Sequence, residues 1–168
     1  EKSPAEKDDE EAKQRASPSG RVVYKAILHE ADTELKRPSA ALFWSGLAAG
    51  LSMGFSLVAE GLLRTYLPDA PWRPLVSKLG YSVGFLIVIL GRQQLFTENT
   101  LTPMLPLMLR RDEKTIRNTF RLGGAVLAAN MLGALIFAFA ALKSSAFEPA
   151  VRANFIALGH QSMSIGPA

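Results

Sequence analysis

Eight polar residues, Arg92, Gln93, Gln94, Thr97, Glu98, Asn99, Thr100 and Thr102, sit inside an otherwise apolar stretch covering residues 77–109, and Pro103 and Pro106 follow them. Their side chains supply hydroxyl and amide hydrogen-bond donors, one guanidinium and one carboxylate. Such a set can replace the water around a small solute or balance its charge. It does not point to covalent chemistry. The chain has no cysteine, and its two histidines, His29 and His160, lie outside the apolar stretches with no metal-spaced partners, which makes both surface histidines. No nucleophile–base pair, phosphate loop or metal cluster stands out. An enzyme, a resident metal and a cofactor are therefore not expected.

The surroundings of the cluster are what make it informative. The 33 residues of this stretch are too many for one straight bilayer span and too few for two of about 20 residues each. Polar groups at that depth are costly and usually line a cavity, and the prolines would spoil a continuous helix. The pattern predicts a broken helix: a first half to about Gln94, an irregular loop, and a short half from about Pro103 to Leu109. Thr102 is then the N-cap and Pro103 the first helical residue. Non-helical backbone at this depth survives only where protein buries it or water reaches it, which marks a pore or a site. The unpaired N–H groups and positive dipole end at Thr102–Pro103 would favour a passing anion, with Thr97 and Thr100 adding hydroxyls. Tyr81, Phe85 and Phe96 would form apolar collars that strip water. A carboxylate at Glu98 would repel an anion unless Arg92 neutralises it or it is protonated, so a charge pair or a neutral Glu98 is expected. The bland alternatives are an Arg92–Glu98 ion pair that only holds the loop, Phe96 packing between protomers, and Asn130 as an interhelical hydrogen-bonding residue.

Two further apolar stretches flank the broken one. Residues 39–63 carry Glu60 as their only formal charge, expected to reach the interface, and Gly46, Gly50 and Gly54 recur every four residues. That spacing lets helix backbones approach closely in lipid. Residues 122–142 carry no formal charge, with Gly124, Ala128 and Gly133 as small packing positions and Asn130 as a lone polar group. Residues 110–121 read as a basic loop. Residues 1–20 are charged and nearly free of large apolar groups, hence a disordered tail. Residues 21–37 alternate apolar and charged positions as an amphipathic helix lying on the membrane surface. Nine of the 15 acidic and eight of the 19 basic residues precede Pro38, which explains how a mean hydropathy of only +0.13 can hide membrane spans. The pI near 9.6 reflects basic residues flanking the spans, not a nucleic-acid partner. Lys and Arg number nine on the N-terminal side of the spans against five on the other, which places the N-terminus in the cytoplasm.

The run 91–101, Gly-Arg-Gln-Gln-Leu-Phe-Thr-Glu-Asn-Thr-Leu, resembles the second-helix signature of the formate–nitrite transporter family, an acidic or amide residue followed by Leu-Phe-Thr and a small polar residue. Tyr81-Ser-Val-Gly-Phe85 is similar to the aromatic–Ser–x–Gly–apolar run of the same helix, and Ala129-Asn130-Met-Leu-Gly133 to the third-helix pattern Gly-Asn-x-x-Gly. Trp44 and Leu51-Ser-Met-Gly54 look closest to a bacterial inner-membrane branch of the family. The resemblance implies an all-α membrane protein: three transmembrane helices of a six-helix, aquaporin-like inverted-repeat channel whose second helix is broken by a central loop. Residues 38–168 would be its first repeat, cut before the fourth helix. It further implies a pentamer in the bilayer of the bacterial inner membrane, each protomer passing small monovalent anions such as formate, nitrite and hydrosulfide, or their acids. The path would be lined by Tyr81, Phe85, Leu95, Phe96, Thr97 and Thr100, with Arg92, Gln94, Glu98, Asn99 and Asn130 shaping the loop or its selectivity. Three features depart from the pattern. Gln94 replaces the usual acid before Leu-Phe-Thr, charges stand at Arg92 and Glu98, and Thr33 occupies the position of a typical lysine. These leave two alternatives open: a non-conducting membrane scaffold, and a channel for a small neutral solute.

Overall fold

A computed structural model of the chain describes residues 19–98 and 102–164. The expected tail falls outside these residues except for its last two, and Gly20 already opens a helix. Among the described residues there are seven helices and no strand: α1 (Gly20–Lys36), α2 (Ser39–Tyr66), α3 (Arg73–Leu79), α4 (Ser82–Leu90), α5 (Met104–Arg110), α6 (Glu113–Lys143) and α7 (Pro149–Ser164). Three stretches are long and apolar enough to cross a membrane: α2, the continuous run Arg73–Leu90 formed by α3 and α4, and α6. With 28 and 31 residues, α2 and α6 would extend about 42 and 46 Å, beyond a hydrocarbon core of about 30 Å.

The centre of the fold is the contact between α2 and α6. A Cβ added at Gly46 would meet Ala129, one added at Gly50 would overlap the Asn130 backbone, and one at Gly54 would run into Phe137. From the other helix, Gly133 lies against the backbone of Leu47, Gly50 and Leu51. Both helices thus advance four residues per contact in the same direction, so they run parallel, joined by the broken span between them. In lipid, burial of Leu42 or Val126 gains little by transfer, since lipid tails are as apolar as leucine. Close backbone packing supplies dispersion contacts instead. Gly133 takes part in this seam, but Gly124 and Ala128 do not. Both are exposed on the opposite side of α6, whose buried line runs Thr115, Thr119, Leu122, Val126, Ala129, Gly133 and Ala141.

The second face of α2 holds α3 and α4. Gly80 lies on the backbone of Ala59 and Glu60, and Gly84 on that of Ser52 and Met53. The Ser56 hydroxyl donates to the Tyr81 carbonyl at 2.6 Å and accepts from the Gly84 N–H at 3.0 Å. A side chain inserted into the helical ladder in this way interrupts it, and α3 gives way to α4 there. The first half of the broken span then ends at Leu90, earlier than the expected Gln94. Gln93 N–H bonds the Val88 carbonyl and Arg92 N–H the Ile89 carbonyl, a Schellman closure with Arg92 at the left-handed position, φ 46°. Placing an arginine where glycine is preferred costs about 1 kcal/mol.

The short half-helix α5 begins one residue later than expected. Pro103 takes the N-cap position and no side chain caps it, Thr102 included. The region read as a basic loop over residues 110–121 is mostly helix. Arg111 turns the chain at φ 46°, and Asp112 N-caps α6 by accepting from the Thr115 N–H at 3.0 Å and the Thr115 hydroxyl at 2.7 Å. The basic residues therefore ride on a helix. One of them, Arg121, donates to the Leu35 and Arg37 carbonyls at 2.9 and 3.0 Å, closing the C-terminal end of α1. Only that end of α1 is buried, through Ala31 and Leu35, whereas Val22, Val23, Tyr24 and Ile27 stay exposed. Helix α7 packs Val151 and Phe155 on the C-terminal half of α2, with Phe155 against Gly61.

Candidate functional site

The loop between α4 and α5 is held by three helices. From α2, the Ser45 hydroxyl accepts the Gln94 N–H at 3.1 Å. From α6, Asn130 accepts the Phe96 N–H at 2.8 Å and donates to the carbonyls of Gln94 at 3.0 Å and Gly46 at 2.7 Å. From α1, Glu34 accepts the Gln94 side-chain amide at 2.9 Å. Asn130 stands near the middle of α6, so the loop is pinned at mid-span. Backbone groups there have no helical partner, and a carboxamide that offers both a donor and an acceptor replaces the missing ladder. Gly46 and Gly50 allow this, because their bare backbone leaves room for Asn130 between the two helices.

Leu95 and Phe96 diverge from the loop. Leu95 is buried with Ala49 and Val88, with Phe85 packed against them, and Phe85 lies 5.6 Å from the Tyr81 ring. Tyr81, Phe85 and Leu95 are thus brought into one row along α4. Phe96 turns the other way and packs on Leu35, Leu42, Leu122 and Val126, beneath α1. Thr97 and Glu98 are exposed at the loop surface. Asn99 and Thr100 lie outside the described residues.

Between α1 and the loop lies a cleft of about 550 Å³ lined by Glu30, Glu34, Arg37, Arg92, Gln94 and Glu98, among others. Arg92 and Glu98 both face it, yet no ion pair joins them among the described residues. The charge pairing here is Arg37 with Glu34 at 3.2 Å. Sequence reasoning missed Glu34 and Ser45. Glu34 looked like one more charge of an amphipathic helix, and its partner is sixty residues away. Ser45 had a faint signal, a hydroxyl beside Gly46 within an apolar helix.

Glu60 is only 4% exposed, and its Oε1 accepts from Arg64 at 3.0 Å and Lys78 at 2.9 Å. Tyr81 and Ser56 line the same pocket, of about 380 Å³. A buried carboxylate with two cations is satisfied where it stands.

Comparison with known proteins places the chain by its sequence. A family profile described as formate/nitrite transporter matches residues 21–168. The chain is 41% identical over 147 residues to the inner membrane protein YfdC of Escherichia coli (strain K12), an alignment covering 88% of this chain and 47% of that protein. The chain thus spans about half the length of the curated relative it matches. No solved structure matches it.

Proposed function

The chain belongs to the formate/nitrite transporter family, and on that premise we propose that it supplies the first three membrane-crossing elements of a channel for small monovalent anions, such as formate or nitrite, or for their acids. In this reading the protomer is a six-helix inverted repeat, and five protomers assemble in the bacterial inner membrane with the N-terminus cytoplasmic. Residues 21–37 lie on the membrane surface, and residues 38–168 form the first repeat. The observation that carries the reading is the loop pinned at mid-span by Asn130. Irregular backbone at that depth is stable only beside a cavity or within protein, and here three helices hold it in a fixed shape. Tyr81, Phe85 and Leu95 line the path above the loop. Thr97, and with it Thr100, offers hydroxyls to a solute shedding its water. Phe96 closes the loop against α1. Gln94 and Asn130 shape the loop, as does Arg92 through its left-handed turn, Asn99 contributes to its selectivity, and Glu98 sets the charge of the cleft below.

One observation favours a second reading, a channel for a small neutral solute. The cleft between α1 and the loop carries Glu30, Glu34 and Glu98 against Arg37 and Arg92, a balance that does not welcome an anion. Uptake by liposomes containing the full-length protein separates the two. Nitrite and formate accumulation, rising as external pH falls, is the expected result. Shrinkage kinetics that respond to urea or glycerol, with no anion uptake, would replace it with the neutral-solute reading. No flux of either kind would leave a membrane scaffold.

A further inference from the structure

Resting on the conduction reading, we propose that Lys78, held in place by the buried Glu60, is an anion-capture site at the mouth of the path on the side opposite α1, taking a small monovalent oxyanion or halide. Lys78, Tyr81, Phe85 and Val88 follow one another at spacings of three and four residues, which puts them on one face of the run formed by α3 and α4. Tyr81 and Phe85 belong to the row that leads to Leu95, and Val88 is buried beneath it against Ala49. Lys78 is therefore the cation at the top of the face that lines the path.

Its surroundings form an unequal charge cluster. Glu60 has one carboxylate, its side chain 5% exposed, and it is bonded by two cations through the same oxygen. Arg64 is 23% exposed and is also committed to Gln161 at 3.0 Å. Lys78 is 57% exposed and borders the pocket of about 380 Å³ shared with Tyr81 and Ser162. One guanidinium offsets the carboxylate, so the pocket that Glu60 and Lys78 both line carries one net positive charge, on an ammonium with three N–H donors of which Glu60 needs one. The Glu60 contact anchors the flexible lysine stem, which lowers the ordering cost of binding an ion there. A pocket of this size with its charge half in solvent suits loose capture at millimolar levels, from which an anion can move on toward Tyr81.

The test uses the full-length protein in detergent and in liposomes, with Lys78→Gln and Lys78→Arg beside wild type and elution profiles used to confirm assembly. Binding is read by line broadening of chloride in NMR, with nitrite as competitor, and transport by nitrite uptake. The expected result is broadening that nitrite displaces in wild type and Lys78→Arg and that is lost in Lys78→Gln. The same variant should raise the KM for uptake from the Lys78 side about three- to tenfold with the maximal rate nearly unchanged, and high salt should erase the difference. Unchanged broadening in Lys78→Gln overturns the site whatever the transport result. Displaceable broadening that depends on Lys78 in a protein that takes up no anion keeps the site and removes the conduction reading instead.

Discussion

The side-chain amide of Gln94 donates to the carboxylate of Glu34 at 2.9 Å, tying the loop that breaks the second span to α1. Gln94 is only 6% exposed, and three of its polar groups are taken up by three different helices: the backbone N–H by Ser45, the backbone carbonyl by Asn130 and the side-chain NH2 by Glu34.

Glu34→Ala should therefore loosen the loop. A hydrogen bond to a charged acceptor contributes about 1.5–3 kcal/mol, so nitrite uptake should fall about tenfold or more if loop shape limits flux. Glu34→Gln retains an acceptor and should lose much less. Equal rates for Glu34→Ala and wild type would show that α1 does not hold the loop.

Asn130 should be the most sensitive position. Interhelical hydrogen bonds in membranes average only about 0.6 kcal/mol because the separated helices find other partners. Here the partners are loop backbone groups with no helical alternative, and each orphaned buried group costs about 1–3 kcal/mol. Asn130→Ala should thus lower unfolding stability by about 2–4 kcal/mol, measured by thermal denaturation in detergent. Asn130→Asp keeps the acceptor for Phe96 but faces the Gly46 and Gln94 carbonyls with negative charge, and should be at least as damaging.

The α2–α6 seam predicts a contrast between two glycines. Gly50→Ala drives a Cβ into the Asn130 backbone and should cost about 1–3 kcal/mol or more, as overpacking does. Gly124→Ala meets nothing within 4 Å and should leave protomer stability unchanged. Melting curves of both variants check the seam, and equal losses would contradict it.

The start of α6 carries a pH signature. The Thr115 hydroxyl, followed by the Thr115 amide, holds the Asp112 carboxyl below its ordinary value of 3.8. Because the folded-state pKa is depressed, the unfolded chain binds the proton more readily. The stabilisation is fully present above the ordinary value and is lost as pH falls through the folded one. Asp112→Ala should be less stable than wild type near neutral pH, and the two curves should converge in strong acid. A constant offset across the acid range would rule out the cap's ionised form as its source.

How far the sequence carries depends on the range of the cause. The three apolar stretches and the break in the second are legible because they follow from composition, and a polar cluster followed by two prolines can hardly be anything else at bilayer depth. The seam through Gly46 and Gly50 is legible for the same reason, being a local repeat. Gly124 and Ala128 fall outside the seam with α2 because small residues occur on both faces of α6 and only the partner helix selects one. The helix before Leu122 was hidden by its basic residues, although the Asp112–Thr115 cap was a signal that could have revealed it. The burial of Glu60 and the Glu34–Gln94 contact were out of reach, since each depends on a partner that only the fold brings near.

The central claim is that the loop pinned by Asn130 borders the conducting path, and cysteine accessibility tests it most directly. This stretch of chain contains no cysteine, so Thr97→Cys in the full-length protein, with any downstream cysteines removed, gives a single addressable position. The account predicts rapid reaction with a small hydrophilic thiosulfonate and a fall in nitrite uptake of about tenfold or more once the adduct fills the path. Full modification with uptake unchanged, or no modification while uptake proceeds, would place the path elsewhere and contradict the account.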